Sequence, residues 1–134
     1  VRISSDATAR ANYHAAAVMA SNALVPLMDS AIAMMVRAGV EPVAARDALL
    51  PLVRGTLANL EQHTPAQALT GPVVRGEVET IRAHLAALGD DPELKGMYVH
   101  MTGSIVGLAV TSGRLDVPTA QKIVETMMGD FDGD

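Results

Sequence analysis

Apolar residues dominate the chain from Ala7 to Ala38, where His14, Ser21, Asn22 and Asp29 are among the few polar interruptions. Asp6 is a plausible N-cap at the start of this run and Gly39 a stop at its end, so the pattern predicts one long first helix. Pro42 fits a first helical position, and Val43 to His63 carries Leu49, Leu50, Val53, Leu57 and Leu60 at helical spacing, which predicts a second helix. Thr64 to Pro72 mixes Pro, Thr and Gly around the short run Ala66 to Leu69 and reads as a structured loop with one turn of helix. A third helix is predicted over Glu77 to Leu88. After the Gly89-Asp90-Asp91-Pro92 break, a fourth is predicted over Glu93 to Thr111, closed by Gly113. Asp116-Val117-Pro118 opens a last helix that runs to about Met128, and residues 129–134 read as a frayed acidic tail.

No segment alternates with the period of a strand, so the expected class is all-α: about five helices around a long, central first helix, in a single domain. At 1.5 Å per residue that helix is roughly 50 Å long, against a globule about 35 Å across. Something outside one compact monomer is expected to cover its end. Gly103 and Gly107, four apart in the fourth helix, predict a face that a neighbouring backbone can approach.

Composition narrows the function classes. Apolar residues make up 49% of the 134, but only Tyr13, Tyr98 and Phe131 are aromatic. Ala, Val, Leu, Ile and Met must fill the interior, a palette that suits close helix packing. The net charge of −5 and a pI near 5.2 argue against nucleic acid as a partner. With no cysteine there is no disulfide, no thiolate metal site and no cysteine nucleophile, which suits a cytoplasmic location. Asn12 to Val36 is apolar enough to raise the question of a membrane, but His14, Asn22, Pro26 and Asp29 interrupt it and alanine supplies much of its apolar count. We therefore expect no membrane partner. The chain starts at Val1 without a signal-like segment and reads as a piece cut from a longer protein.

Candidate chemistry centres on the first helix. At 100° per residue, His14, Ser21, Asn22 and Asp29 fall within an arc of about 100°. The rest of that surface is apolar nearly all round, and buried polar groups need hydrogen-bonding partners. Pro26 has no N–H to give the carbonyl of Asn22, so a free acceptor is expected beside the Ser21 and Asn22 side chains. Two readings stand: a kinked core helix whose polar groups satisfy one another or hold water, and a face that looks onto a ligand.

A second group is Leu69-Thr70-Gly71-Pro72-Val73-Val74-Arg75-Gly76-Glu77, followed by Thr80 and His84. Gly71 and Gly76 have the gap of a phosphate loop, but Glu77 stands where a lysine belongs and no strand leads in, which rejects a Walker motif. What remains is a tight turn into a helix, with one arginine and with Thr80 and His84 one turn apart. Helix capping with a solvated arginine and a binding role explain it equally well. His14, His63, His84 and His100 lack the paired spacing of a zinc site, so no metal is expected. Asp130, Asp132, Gly133 and Asp134 lack the closing glutamate of a calcium loop. Ser and His residues form no nucleophile elbow.

Three ordered stretches resemble the C-terminal domain of a bacterial family of Rossmann-like oxidoreductases: Tyr13-His14-Ala15-Ala16-Ala17-Val18 with Ala20-Ser21-Asn22; Leu50-Pro51-Leu52-Val53-Arg54-Gly55-Thr56; and Ala68-Leu69-Thr70-Gly71-Pro72 with Arg75-Gly76, Thr80 and His84. That family is similar to ketopantoate reductase, pyrroline-5-carboxylate reductase and the 6-phosphogluconate dehydrogenase group. The resemblance implies a 6-phosphogluconate dehydrogenase C-terminal-domain-like fold, an N-terminal Rossmann domain as partner, a homodimer, and reduction or oxidation of a small C=O or C=N substrate with NADP or NAD. In those relatives a Lys and an Asn on the first long helix face the nicotinamide; here the corresponding face offers His14 and Asn22 and no lysine. The implied roles are His14 and Asn22 as catalytic groups, Ser21, Thr70, Arg75, Thr80 and His84 as substrate contacts, and Gly71 and Pro72 beside the cofactor. No strand followed by Gly-x-Gly-x-x-Gly occurs, so this domain alone is expected to hold no dinucleotide. A rival reading is a helical dimerisation or ligand-sensing module without catalysis.

Overall fold

The computed structural model of the chain describes residues 6–129, and among these every regular element is helical. The chain divides into two compact units, Val1–Leu49 and Leu50–Asp134.

In the first unit, helix α1 (Ala7–Ala17) begins at Asp6, whose carboxylate accepts from the Ala9 N–H at 3.2 Å. A π turn (Val18–Asn22) joins it to α2 (Leu24–Arg37). The Ala23 N–H reaches back five residues to the Val18 carbonyl at 3.1 Å, just ahead of Pro26. A missing proline N–H is one of the known causes of such local rewinding. The end of α2 is a Schellman closure. Gly39, at φ +89°, donates to the Val36 carbonyl at 2.9 Å, and Val40 donates to that of Met35 at 3.1 Å.

The sequence led us to expect this rod at the centre of the domain, and the structure corrects that. No residue of α1, the π turn or α2 is buried, and Met19 and Val25 are 72% and 71% exposed. Apolar composition says only that a helix needs cover, and the cover need not come from its own chain. The 31 residues Ala7–Arg37 contain an 18-residue window with a mean hydropathy of 1.4 and are long and apolar enough, by length and composition only, to cross a membrane.

Helix α3 (Pro42–Gln62) starts where Glu41 accepts from the N–H groups of Val43 and Ala44 at 2.9 and 3.1 Å. It continues through Pro51, two residues into the second unit. The single predicted turn of helix is α4 (Pro65–Ala68), closed by a capping box in which Thr64 and Gln67 each satisfy the other's backbone N–H. Helices α5 (Val78–Leu88), α6 (Pro92–Thr111) and α7 (Val117–Gly129) match the last three predicted elements to within two residues. Asp91 and Asp116 cap α6 and α7 by accepting from Leu94 and Thr119. Gly129, expected to open the tail, is the last residue of α7 instead; the rest of that tail, residues 130–134, and with it the calcium-loop comparison, lies outside the described residues.

Helices α5, α6 and α7 pack on one another around Val73, Ile81, Leu85, Val106, Ala109, Leu115, Ala120, Ile123 and Met127. Ile81, Leu85 and Ile123 are the largest side chains fully removed from water, each worth about 2–3 kcal/mol by area. Val73 ties the loop ahead of α5 to this core. Gly103 and Gly107 do not meet a neighbouring backbone in this chain. A Cβ at either would have open space around it, so the expected close approach is absent among the described residues.

Candidate functional site

The residues singled out by sequence fall into two groups, one in each unit. On the rod, His14, Ser21, Asn22 and Asp29 are all exposed, and no side-chain hydrogen bond links them to one another among the described residues. They are therefore not a self-satisfied polar seam in a protein core. The π turn also changes their phase. Five-residue bonding inserts about one residue's rotation, roughly 100°, into everything that follows. Asn22, the last residue of the turn, and Asp29 thereby swing toward the azimuth of His14, while Ser21 lies one residue earlier within the turn. The rod thus carries an imidazole, an amide and a carboxylate along one edge of a surface that also exposes Val18, Met19, Leu24 and Val25.

In the second unit the loop from Leu69 to Glu77 is built from short backbone bonds. Gly76 donates to Val73 at 3.0 Å, Glu77 to Pro72 at 2.9 Å and Arg75 to Gly71 at 3.3 Å. Gly71 and Gly76 take φ of +95° and +68°, values that glycine alone adopts without strain. Gly76 is doubly constrained, because a Cβ there would sit 3.0 Å from Thr119 Cγ2 on α7. Two flanking arginines hold this loop. Arg114 Nη1 donates to the carbonyl oxygens of Ala66, Gln67 and Leu69, placing a cation on the open C-terminal end of α4. Arg75 grips Glu77 through Nε and Nη2. That hydrogen bond raises the pKa of Arg75 and lowers that of Glu77, whose carboxylate also accepts from Thr80 Oγ1 at 3.1 Å. The charge predicted to meet a substrate at Arg75 is thus already paired within the loop. Arg75 is exposed and Glu77 partly so, and a pair this open to solvent orders the turn more than it stabilises the fold.

Thr80 and His84 share a face of α5 but are not joined. Thr80 turns back to Glu77, and His84 turns to Tyr98 on α6, with Nδ1 2.8 Å from the phenolic oxygen. The two rings meet edge to face, centroids 5.7 Å apart at 89°. Burial pushes the Tyr98 pKa up, partly opposed by the hydroxyl of Thr102, itself almost wholly buried. Sequence reading missed Tyr98 and Arg114. A signal for Tyr98 existed: the Gly89-Asp90-Asp91-Pro92 turn lies about midway between His84 and Tyr98, so an antiparallel helix pair brings them abreast. Arg114 has no comparable local signal, since its partners lie 45 to 48 residues away.

Two open grooves flank α7. One of about 540 Å³ is lined by Val78, Glu79, Arg82, Lys122, Glu125 and Thr126, and one of about 420 Å³ by Val110, Val117, Ala120, Gln121, Val124 and Glu125. Neither contains a residue singled out by sequence. Among the described residues no group of three or more His, Asp or Glu could hold a metal ion.

These features define an all-α domain with a polar-edged apolar rod in one unit and an arginine-braced loop leading into a three-helix core in the other. The chain belongs to the family described as a domain of unknown function (DUF2520), which matches residues 2–105. That span holds every residue of both candidate groups and ends inside α6, ahead of Arg114 and α7. No curated protein and no solved structure matches the chain.

Proposed function

We propose that this chain is the substrate-binding and dimerisation domain of an NAD(P)-dependent oxidoreductase acting on a small C=O or C=N substrate. In this reading an N-terminal Rossmann domain, with the 6-phosphogluconate dehydrogenase type of domain pairing, brings NADP or NAD to the polar edge of the rod in a cytoplasmic homodimer. The observation that carries the proposal is that His14, Asn22 and Asp29 are solvent-facing and unbonded to other side chains on a helix without one buried residue. Such an edge is available to a ligand, and the apolar flanks beside it are available to a covering domain. The three ordered stretches that resemble the oxidoreductase family point the same way. The cofactor supplies the hydride. His14 exchanges a proton with the substrate heteroatom, and Asn22 and Ser21 hold that atom in place. In the second unit Thr70 and His84 are the proposed ligand contacts, with Gly71 and Pro72 for the cofactor, while Arg75 and Thr80 stay held by Glu77 and shape the loop.

The test is NADPH oxidation by the intact protein over a panel of small ketones, keto acids and imines. His14→Ala and Asn22→Ala are each expected to lower turnover by about 100-fold or more. Unchanged rates in both would remove the rod from the site. A second reading, a dimerisation or sensing module without catalysis, is favoured by the uncovered apolar surface of the rod. It predicts no NADPH binding by the intact protein.

A further inference from the structure

The pairing of His84 with Tyr98 specifies more than a contact. Glu77, at the start of α5, and Thr80 and His84 on it follow at helical spacing; Glu77 accepts from both Arg75 and Thr80, so the first two are committed. His84 is committed on one nitrogen, Nδ1, while the residue as a whole stays exposed. A neutral imidazole has one donor nitrogen and one acceptor nitrogen, so the role of Nδ1 decides the role of Nε2. The sp² nitrogen of imidazole is a strong acceptor, whereas a phenolic oxygen, its lone pair conjugated with the ring, is a better donor than acceptor. Half-buried Tyr98 is also held in its protonated form, since burial works against the phenolate. The hydrogen bond therefore runs from the Tyr98 O–H to Nδ1.

We infer that Tyr98 is a positioning residue that fixes His84 as the Nε2–H tautomer and so presents an N–H donor outward from α5, suited to a carbonyl or carboxylate oxygen. The edge-to-face packing sets the ring plane, and the hydroxyl sets which nitrogen carries the proton. A substrate meeting this point of α5 offers an oxygen acceptor there. An Nε2–H cannot accept from an ammonium group.

The placement of a substrate at His84 rests on the function proposed above, whereas the tautomer does not, and the two are measured separately. In the 134-residue chain, ¹⁵N–¹H correlation of the histidine rings at a pH where His84 is neutral is expected to show Nε2 protonated and Nδ1 bare. Tyr98→Phe keeps the aromatic edge and removes the donor, and should draw the two nitrogen shifts toward each other as the tautomers mix. A protonated Nδ1 in the parent chain, or an unchanged pattern in Tyr98→Phe, overturns the inference. In the intact protein Tyr98→Phe should raise KM about tenfold for a keto-acid substrate at nearly unchanged kcat. If the ring signature holds while no keto acid is turned over, the oxidoreductase reading fails and the assignment of Tyr98 stands.

Discussion

Arg114 Nη1 lies 3.0 Å from the carbonyl oxygen of Leu69, and the same nitrogen donates to Ala66 and Gln67, so one guanidinium closes the open end of α4. It is set there by a second Schellman closure: Gly113, at φ +71°, donates to Val110 at 3.0 Å, and Arg114 N–H to Ala109 at 2.8 Å. Arg114→Ala should lower stability by about 1–2 kcal/mol and speed amide exchange over residues 65–77 while leaving α5 protected. Arg114→Lys should recover part of the loss, because an ammonium can still donate but lacks the planar reach of the guanidinium. Exchange mass spectrometry of the three proteins decides this.

Gly76 should be the least replaceable position of the loop. Gly76→Ala meets the strain of a positive φ and crowds the Thr119 methyl, a combined cost of about 1–3 kcal/mol in urea denaturation. Gly103→Ala, in the open on α6, should be neutral or stabilising, since alanine is the better helix former.

Core and rod should respond in opposite ways. Leu85→Ala removes a fully buried side chain and should cost about 3 kcal/mol. Met19→Ser, at a site 72% exposed, should change the stability of this chain by less than about 0.5 kcal/mol. A large Met19 effect would show that the rod is covered in solution.

Asp116 provides a pH signature. Its pKa is lowered, chiefly by the Thr119 backbone N–H and then by the Thr119 hydroxyl, at 2.9 and 2.8 Å. A carboxylate whose folded pKa lies below its unfolded value stabilises above that unfolded value, about 3.9, and the contribution fades as pH falls through the folded one. Thermal melts should therefore place Asp116→Asn below the parent chain at pH 7, with the gap closing below about pH 3.9.

Helix ends were legible because they are local chemistry: Asp6 as a cap, Pro42 at a first helical position, Asp116 opening the last helix, Gly39 and Gly113 as left-handed stops; only Asp91 and Pro92, read as a break, turned out to be the cap and first residue of α6. The loop between Leu69 and Glu77 was legible for the same reason, through its glycines. Burial was not, because periodicity shows which helices need cover and not what supplies it. The rod, apolar nearly all round, read as central, yet the core formed on α5, α6 and α7. Nor did 100° spacing reveal the π turn, although Pro26 was its visible cause.

That turn leads to the most informative substitution on the rod. Pro26→Ala returns the N–H that the Asn22 carbonyl lacks, so the rod can relax from five-residue to four-residue bonding over Val18–Asn22. Stability should rise by about 1–3 kcal/mol, read as added helicity and a higher Tm. Relaxation also turns Asn22 and Asp29 away from His14 by up to one residue's rotation, about 100°. If the proposed site needs those groups on one edge, the intact protein should lose turnover as its rod becomes more stable, the opposite of what a purely structural helix would show. Equal turnover in a demonstrably straightened rod would mean that the alignment of His14 with Asn22 plays no part in the chemistry.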